Sequence, residues 1–224
     1  MKLVYPDYTY QMCFIEGKVN VVVIENAMEF RHLIEEILIQ IDGNDGRFVL
    51  SDNNEILKIA NNIQCIINPF SLELNSKKML DKIYALCKQE ILDSELFIQQ
   101  EQLFSDIMMF IEKVMEKVDY SLCYSDDIDI KSLFKLVSIR LQDDHSGFLD
   151  RIVDYIKINN TLLGNRVFIF INLRSFLNEN ELELLYKTAS YEKVFLVLIE
   201  AHDFDNKSDY EIKYIIDKDC CEIY

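Results

Sequence analysis

Two uninterrupted apolar runs constrain this chain more than any other feature. Residues 166–173 read Arg-Val-Phe-Ile-Phe-Ile-Asn-Leu, and residues 193–200 read Lys-Val-Phe-Leu-Val-Leu-Ile-Glu. Strands open to solvent on one face alternate apolar and polar residues, whereas these do not, so both are expected to be covered on two faces. Between them, residues 179–189 carry helical spacing. Strand–helix–strand at this distance is a βαβ unit with parallel pairing. Val19–Glu25, Val-Asn-Val-Val-Val-Ile-Glu, has the same buried character. The expected class is α/β.

The flanking segments fill in the order of elements. Tyr8–Glu16 and Val19–Glu25 read as a hairpin turning at Gly17-Lys18. Asn26 and Glu29 have the spacing of a capping box for a helix running to Ile41, which Asp42-Gly43-Asn44-Asp45-Gly46 stops. Arg47–Leu50 and Ile63–Ile67 read as strands separated by a polar turn at 51–55. From Pro69 the character changes. Residues 76–91 are amphipathic through Leu80, Ile83, Cys87 and Ile91. A stripe including Phe104, Ile107, Met108, Ile111 and Met115 runs through 95–118, which suits a long helix packing against partners. A helix over 145–163 closes at Gly164, and the tail at 211–217 and 220–224 adds one or two edge strands. The organisation expected is an α/β head from residues 1–68 and 144–224, with a helical leg inserted at 69–143.

Charge and motifs narrow the chemistry. A formal net charge of −16 and a pI near 4.6 argue against an ordinary nucleic-acid binder, whose affinity comes from neutralising phosphates. The five glycines, at 17, 43, 46, 147 and 164, form neither G-x-x-x-x-G-K-[ST] nor G-x-G-x-x-G. No G-x-S-x-G elbow occurs, and the histidines at 32, 145 and 202 are scattered. The chain is expected not to be an enzyme. Six cysteines show no C-x-x-C or zinc spacing. No apolar run reaches a membrane span and no signal-peptide core opens the sequence, so a cytoplasmic protein with reduced thiols is expected.

The densest polar chemistry lies at an elbow after the long helix. Asp119, Asp126, Asp127 and Asp129 surround a bend, and a helix from Asp129 buries Ile130, Leu133, Phe134, Val137 and Leu141. Lys131 and Lys135 lie on one flank of that face and Arg140 on the other. Acids before a helix ordinarily cap its N–H groups and complement its dipole. Asp126-Asp127-x-Asp129 also offers hard oxygen ligands suited to Ca²⁺. It is no EF-hand, because Ser132 and Ser138 occupy the loop positions that need Gly and Glu.

In order along the chain, the acidic-ended strand at 21–25, Leu74-Asn75-Ser76, the elbow helix, strand 167–173, Phe176-Leu177-x-x-x-Glu181-Leu182, strand 195–200 and the tail around Tyr214–Asp219 together resemble the type II-A CRISPR-associated adaptation proteins of the Csn-two family. The resemblance implies a P-loop-NTPase-like α/β head without nucleotide motifs, plus a helical leg. It implies a non-catalytic homotetrameric ring around linear double-stranded DNA, stabilised by Ca²⁺, assisting spacer acquisition with the CRISPR integrase complex and the effector nuclease. Carried over by position, Asp126 and Asp127 are metal ligands, with Asp119 and Asp129 in reserve. Lys135 and Arg140 match basic positions, and Lys131 is an addition of this sequence. Ser132, Leu122 and Tyr124 stand where relatives can carry acids, and His202-Asp203 where they often carry Pro-Arg. Fewer acids imply weaker or fewer calcium sites. Two other readings remain at this level: a protein-interaction scaffold for the adaptation complex with minor DNA contact, and a metal-dependent nuclease with acids clustered in the head.

Overall fold

A computed structural model of the chain describes residues 1–125, 127–143, 147–204 and 208–223. Its strands are β1 (Lys2–Val4), β2 (Met12–Cys13), β3 (Val19–Ile24), β4 (Val49–Asp52), β5 (Glu55–Leu57), β6 (Ile63–Ile66), β7 (Val167–Ile171), β8 (Phe195–Glu200), β9 (Glu211–Ile216) and β10 (Glu222–Ile223). Its α-helices are α1 (Ala27–Ile41), α2 (Ile59–Asn62), α3 (Lys77–Leu92), α4 (Leu96–Met115), α5 (Ile130–Leu136), α6 (Phe148–Ile158) and α7 (Glu179–Tyr191). The chain divides into two units, residues 1–74 with 144–224, and residues 75–143.

The first unit, the head, is built on a six-stranded sheet of order β10-β9-β3-β8-β7-β6. All neighbours pair in parallel except β10, which runs antiparallel to β9. The βαβ unit expected from the two apolar runs is present, with Val167 opposite Phe195 and Ile171 opposite Ile199. The reason these strands lack alternation is visible in the packing. Val167, Ile169 and Ile171 join one cluster with Leu33 and Ile37 of α1, while Phe168 and Phe170 join another with Ile156 of α6 and Leu185 of α7. Each face therefore has its own core, and every residue of β7 is buried.

Local signals hold where the chain caps itself. The Asn26 side chain accepts from the N–H groups of Met28 and Glu29, starting α1. Glu29 does not complete the box; it accepts a hydrogen bond from Tyr8 Oη at 2.7 Å. At α7 the box is complete: Glu181 N–H donates to Asn178 Oδ1 and Asn178 N–H donates to Glu181 Oε2. Gly164, at φ 73°, closes a π-helical turn over Asn159–Leu163 after α6. His145, expected in that helix, lies outside the described residues.

Several expectations are corrected by long-range pairing. Gly17 does turn the chain, but β2 and β3 do not form a hairpin: β2 pairs with β1 in a second sheet, of order β2-β1-β4-β5, while β3 lies between β8 and β9. A strand buried on both faces belongs in the centre of the parallel sheet, not at a hairpin edge. The polar turn at 51–55 is itself the tip of a hairpin, since Asn53 and Asn54 take positive φ and bring β5 onto β4. Of the two tail strands, only β10 is an edge; β9 pairs on both sides.

The second unit, the leg, holds α3, α4 and α5. Ser76 caps α3 by accepting from Met79 N–H. Met79 and Tyr84 on α3, and Ile130 on α5, are buried. The Tyr84 and Phe134 rings lie 5.8 Å apart. Amphipathic α4 is different: over 20 residues none is buried. The stripe residues Phe104, Ile107, Met108 and Met115 are half-buried, while Phe110 (64% exposed) and Ile98 (74%) stand uncovered off the stripe.

Candidate functional site

In parallel α/β sheets ligands bind beyond the carboxyl ends of the strands. Here β3 passes into α1 through Glu25 and Asn26 alone, leaving no loop to cradle a phosphate. The neighbouring strand ends are filled by their own charges. Glu200, ending β8, is 1% exposed, and burial pushes its carboxyl up to about 7 against the pull of the Arg174 N–H and guanidinium. Arg174 N–H donates to Glu200 Oε1 at 3.1 Å, and Arg174 Nη1 pairs with Glu211 Oε2 at 3.3 Å. Tyr186 Oη donates to the other Glu211 oxygen at 2.7 Å. The guanidinium also lies 4.9 Å over the Phe204 ring. Asn172, at φ 53°, lets the chain turn after β7, and its Oδ1 accepts from Ala201 N–H. This network is internal wiring of the core, in which Arg174 Nε is buried without a hydrogen-bond partner.

The elbow of the leg is open by contrast. After α4 ends, residues 116–129 form no helix or strand among those described. Asp119, Asp127 and Asp129 are all exposed. Asp129 occupies the N-cap of α5 without a capping bond from its side chain; Ser132 Oγ donates weakly to its carboxylate at 3.5 Å. Asp126 lies outside the described residues. Among the described residues no group of three or more His, Cys, Asp or Glu side chains is close enough to hold a metal ion. The donor type suits Ca²⁺, but the described part of a single chain does not gather it.

The elbow helix is shorter than its apolar spacing suggests. Ser138 takes φ 54°, and Ile139 N–H returns to Phe134 O at 3.0 Å, ending the helix at Leu136. Lys131 and Lys135 are on α5, but Arg140 is not. It lies in a stretch laid along α3: Tyr84 Oη donates to Ile139 O at 3.0 Å, and the Asn75 amide holds Leu141 by both its N–H (2.8 Å) and its C=O (3.1 Å). Lys131 is half-buried, and Lys135 and Arg140 are exposed. None of the three forms an ion pair with a described carboxylate.

Helix α3 also carries exposed Lys77, Lys78, Lys82 and Lys88, which the sequence signals as four lysines against Asp81 and Glu90 in a strongly acidic chain.

Sequence comparison gives this architecture a family. A profile described as "CRISPR-associated protein (Cas_Csn2)" matches residues 40–220. The chain belongs to the Csn2 family. A "CRISPR-associated protein Csn2" from Enterococcus faecalis is 22% identical over 204 residues, covering 90% of this chain and 89% of the relative. Membership in the Csn2 family carries a role in CRISPR adaptation. Among solved structures, a putative ABC transporter ATP-binding protein from Pyrococcus furiosus is 10% identical, with 95% and 93% of the two chains covered and a TM-score of 0.37. An ATP-binding cassette of an ABC transporter, in its ADP conformation, is 12% identical, with 91% and 80% covered and a TM-score of 0.40. Likeness at that level has no bearing on what the head binds. No described helix is long and apolar enough to cross a membrane.

Proposed function

We propose that this Csn2-family chain is a non-catalytic, sequence-independent binder of linear double-stranded DNA ends. It works as a calcium-stabilised homotetrameric ring that assists spacer acquisition, beside the CRISPR integrase complex and the effector nuclease. The observation that carries this reading is the state of the elbow cations. Acids outnumber Lys and Arg by 39 to 23, yet Lys131, Lys135 and Arg140 have no described carboxylate partner. Cations kept out of ion pairs in an acidic chain are available for phosphates. A ring would gather them around a bore and keep most of the acidic surface outside, focusing a favourable field on the axis.

The exposed apolar side chains of α4, Ile98 and Phe110 among them, support assembly, because exposed apolar surface of this kind is ordinarily buried by a partner. Asp119, Asp126, Asp127 and Asp129 are the carboxylates assigned to calcium. Since the described part of one chain brings no three of its acids together, the ligand set is completed when copies meet.

Gel shifts on linear and closed-circular duplexes of equal length, with Ca²⁺ and with chelator, test the reading. Retardation of linear DNA alone is expected, reduced by chelation. Equal binding to circles refutes threading, and a monomeric solution mass in Ca²⁺ refutes the ring. Cleavage of linear DNA in Mg²⁺ or Mn²⁺ would show an enzyme instead.

A further inference from the structure

The four lysines of α3 share one arc of the helix. At about 100° per residue, Lys77 and Lys88 project within about 20° of each other, and Lys78 and Lys82 within about 40°. Together they span about 140° of the helix, outside the sector between buried Met79 and Tyr84, with Lys77 about 20° from Tyr84. Each is exposed, and none forms an ion pair with a described carboxylate, although Asp81 stands among them. From Lys77 to Lys88 the helix rises about 16 Å, a length over which one strand of a B-form duplex presents about five phosphates at ~3.4 Å each along the axis. The row is continuous with the elbow. Asn75 and Tyr84 tie residues 141 and 139 to α3, which sets Arg140 beside the helix.

We propose that α3 is a second phosphate-contacting surface for duplex nucleic acid, with Lys77, Lys78, Lys82 and Lys88 following the backbone of one strand and Arg140 extending the row. The inference rests on the duplex-binding reading above and adds to it a helix that neither the metal ligands nor the elbow helix includes. Two things select a duplex as the occupant: the axial span of the lysines matches a run of phosphates, and α3 carries net positive charge within an acidic protein.

The test is a salt series on a linear duplex using the full chain. Wild type is compared with K77Q/K78Q/K82Q/K88Q and with K131Q/K135Q, with far-UV circular dichroism and solution mass confirming that fold and assembly are kept. Each phosphate contact contributes about −0.9 to the slope of log K against log salt. The α3 variant should therefore lose at least ~2 from the magnitude of that slope, with affinity falling at least about tenfold near 0.1 M salt. Restoring lysine at 78 and 82 alone should recover about half of the loss. An α3 variant matching wild type in slope and affinity overturns the inference while leaving the elbow reading in place. Absence of binding by wild type itself overturns both. Lysine-dependent binding to phosphatidylglycerol vesicles, without lysine-dependent binding to duplex, reassigns α3 to membranes and overturns it too.

Discussion

Replacing Glu200 by Gln isolates the most unusual electrostatic feature of the head. The carboxyl ends β8 almost without solvent contact, and burial raises it from an ordinary 4.5 to about 7. A carboxyl raised in the folded state binds its proton more tightly than in the unfolded chain. Folding therefore takes up a proton between about 4.5 and 7, and stability falls as pH rises through that window. Below 4.5 both states are protonated and the effect vanishes; above 7 the whole cost is present. The gap corresponds to about 3 kcal/mol, at ~1.4 kcal/mol per pH unit. Glutamine removes the charge while its carbonyl can still accept from Arg174 N–H. E200Q should thus gain about 1–3 kcal/mol relative to wild type at pH 8.5, and nothing comparable at pH 4.5. In a chain of this length that is a rise in Tm of about 3–9 °C at the alkaline end. Thermal unfolding followed by far-UV circular dichroism at several pH values measures the difference between the two proteins, in which the other carboxylates cancel. A difference that stays constant from pH 4.5 to 8.5 would refute the reasoning, whatever its sign.

Other substitutions probe the same core and its caps. Arg174→Met leaves Glu211 buried without its counter-charge and should cost about 3–5 kcal/mol, measured by urea unfolding at neutral pH. Asn178→Ala, which breaks the capping box of α7, should cost about 1 kcal/mol in the same assay. At Gly164 an added Cβ meets nothing within 4 Å, so Gly164→Ala should lose only the left-handed backbone penalty of about 1–2 kcal/mol. Truncating Leu185, fully buried under β7 and β8, should cost about 2–5 kcal/mol.

What the sequence revealed was whatever the chain decides locally. The runs at 167–171 and 195–200 announced a parallel core because each residue there must be covered on one face or the other. Asn178 with Glu181, and Gly164, marked helix ends through bonds reaching only a few residues. Pairing between distant segments left no such trace. Val19–Ile24 was legible as a buried strand, but nothing in Gly17-Lys18 says that the strand before it joins a different sheet. Lys2–Val4 and Glu55–Leu57 are too short to show a period. In the leg, Val137 and Leu141 kept helical spacing past the point where Ser138 turns left-handed, so Arg140 was assigned to a helix flank it does not occupy. The elbow acids were visible as a cluster in sequence, yet adjacency along the chain does not converge side chains. The lysines of α3 are equally visible in sequence, but an amphipathic pattern identifies the face a helix buries and says nothing of what its exposed cations meet.

The insertion point of the leg has a consequence of its own. β6 and β7 are adjacent parallel strands, and everything from Ile67 to Arg166, the leg included, is one crossover between them. The entropy of closing a loop grows only with the logarithm of its length, so lengthening or trimming the leg within that crossover, with α6 kept in the core, barely alters how firmly the two strands are held. The head can therefore keep its register while the appendage is remodelled to a different reach, and a short linker in its place should still leave a sheet able to zip shut.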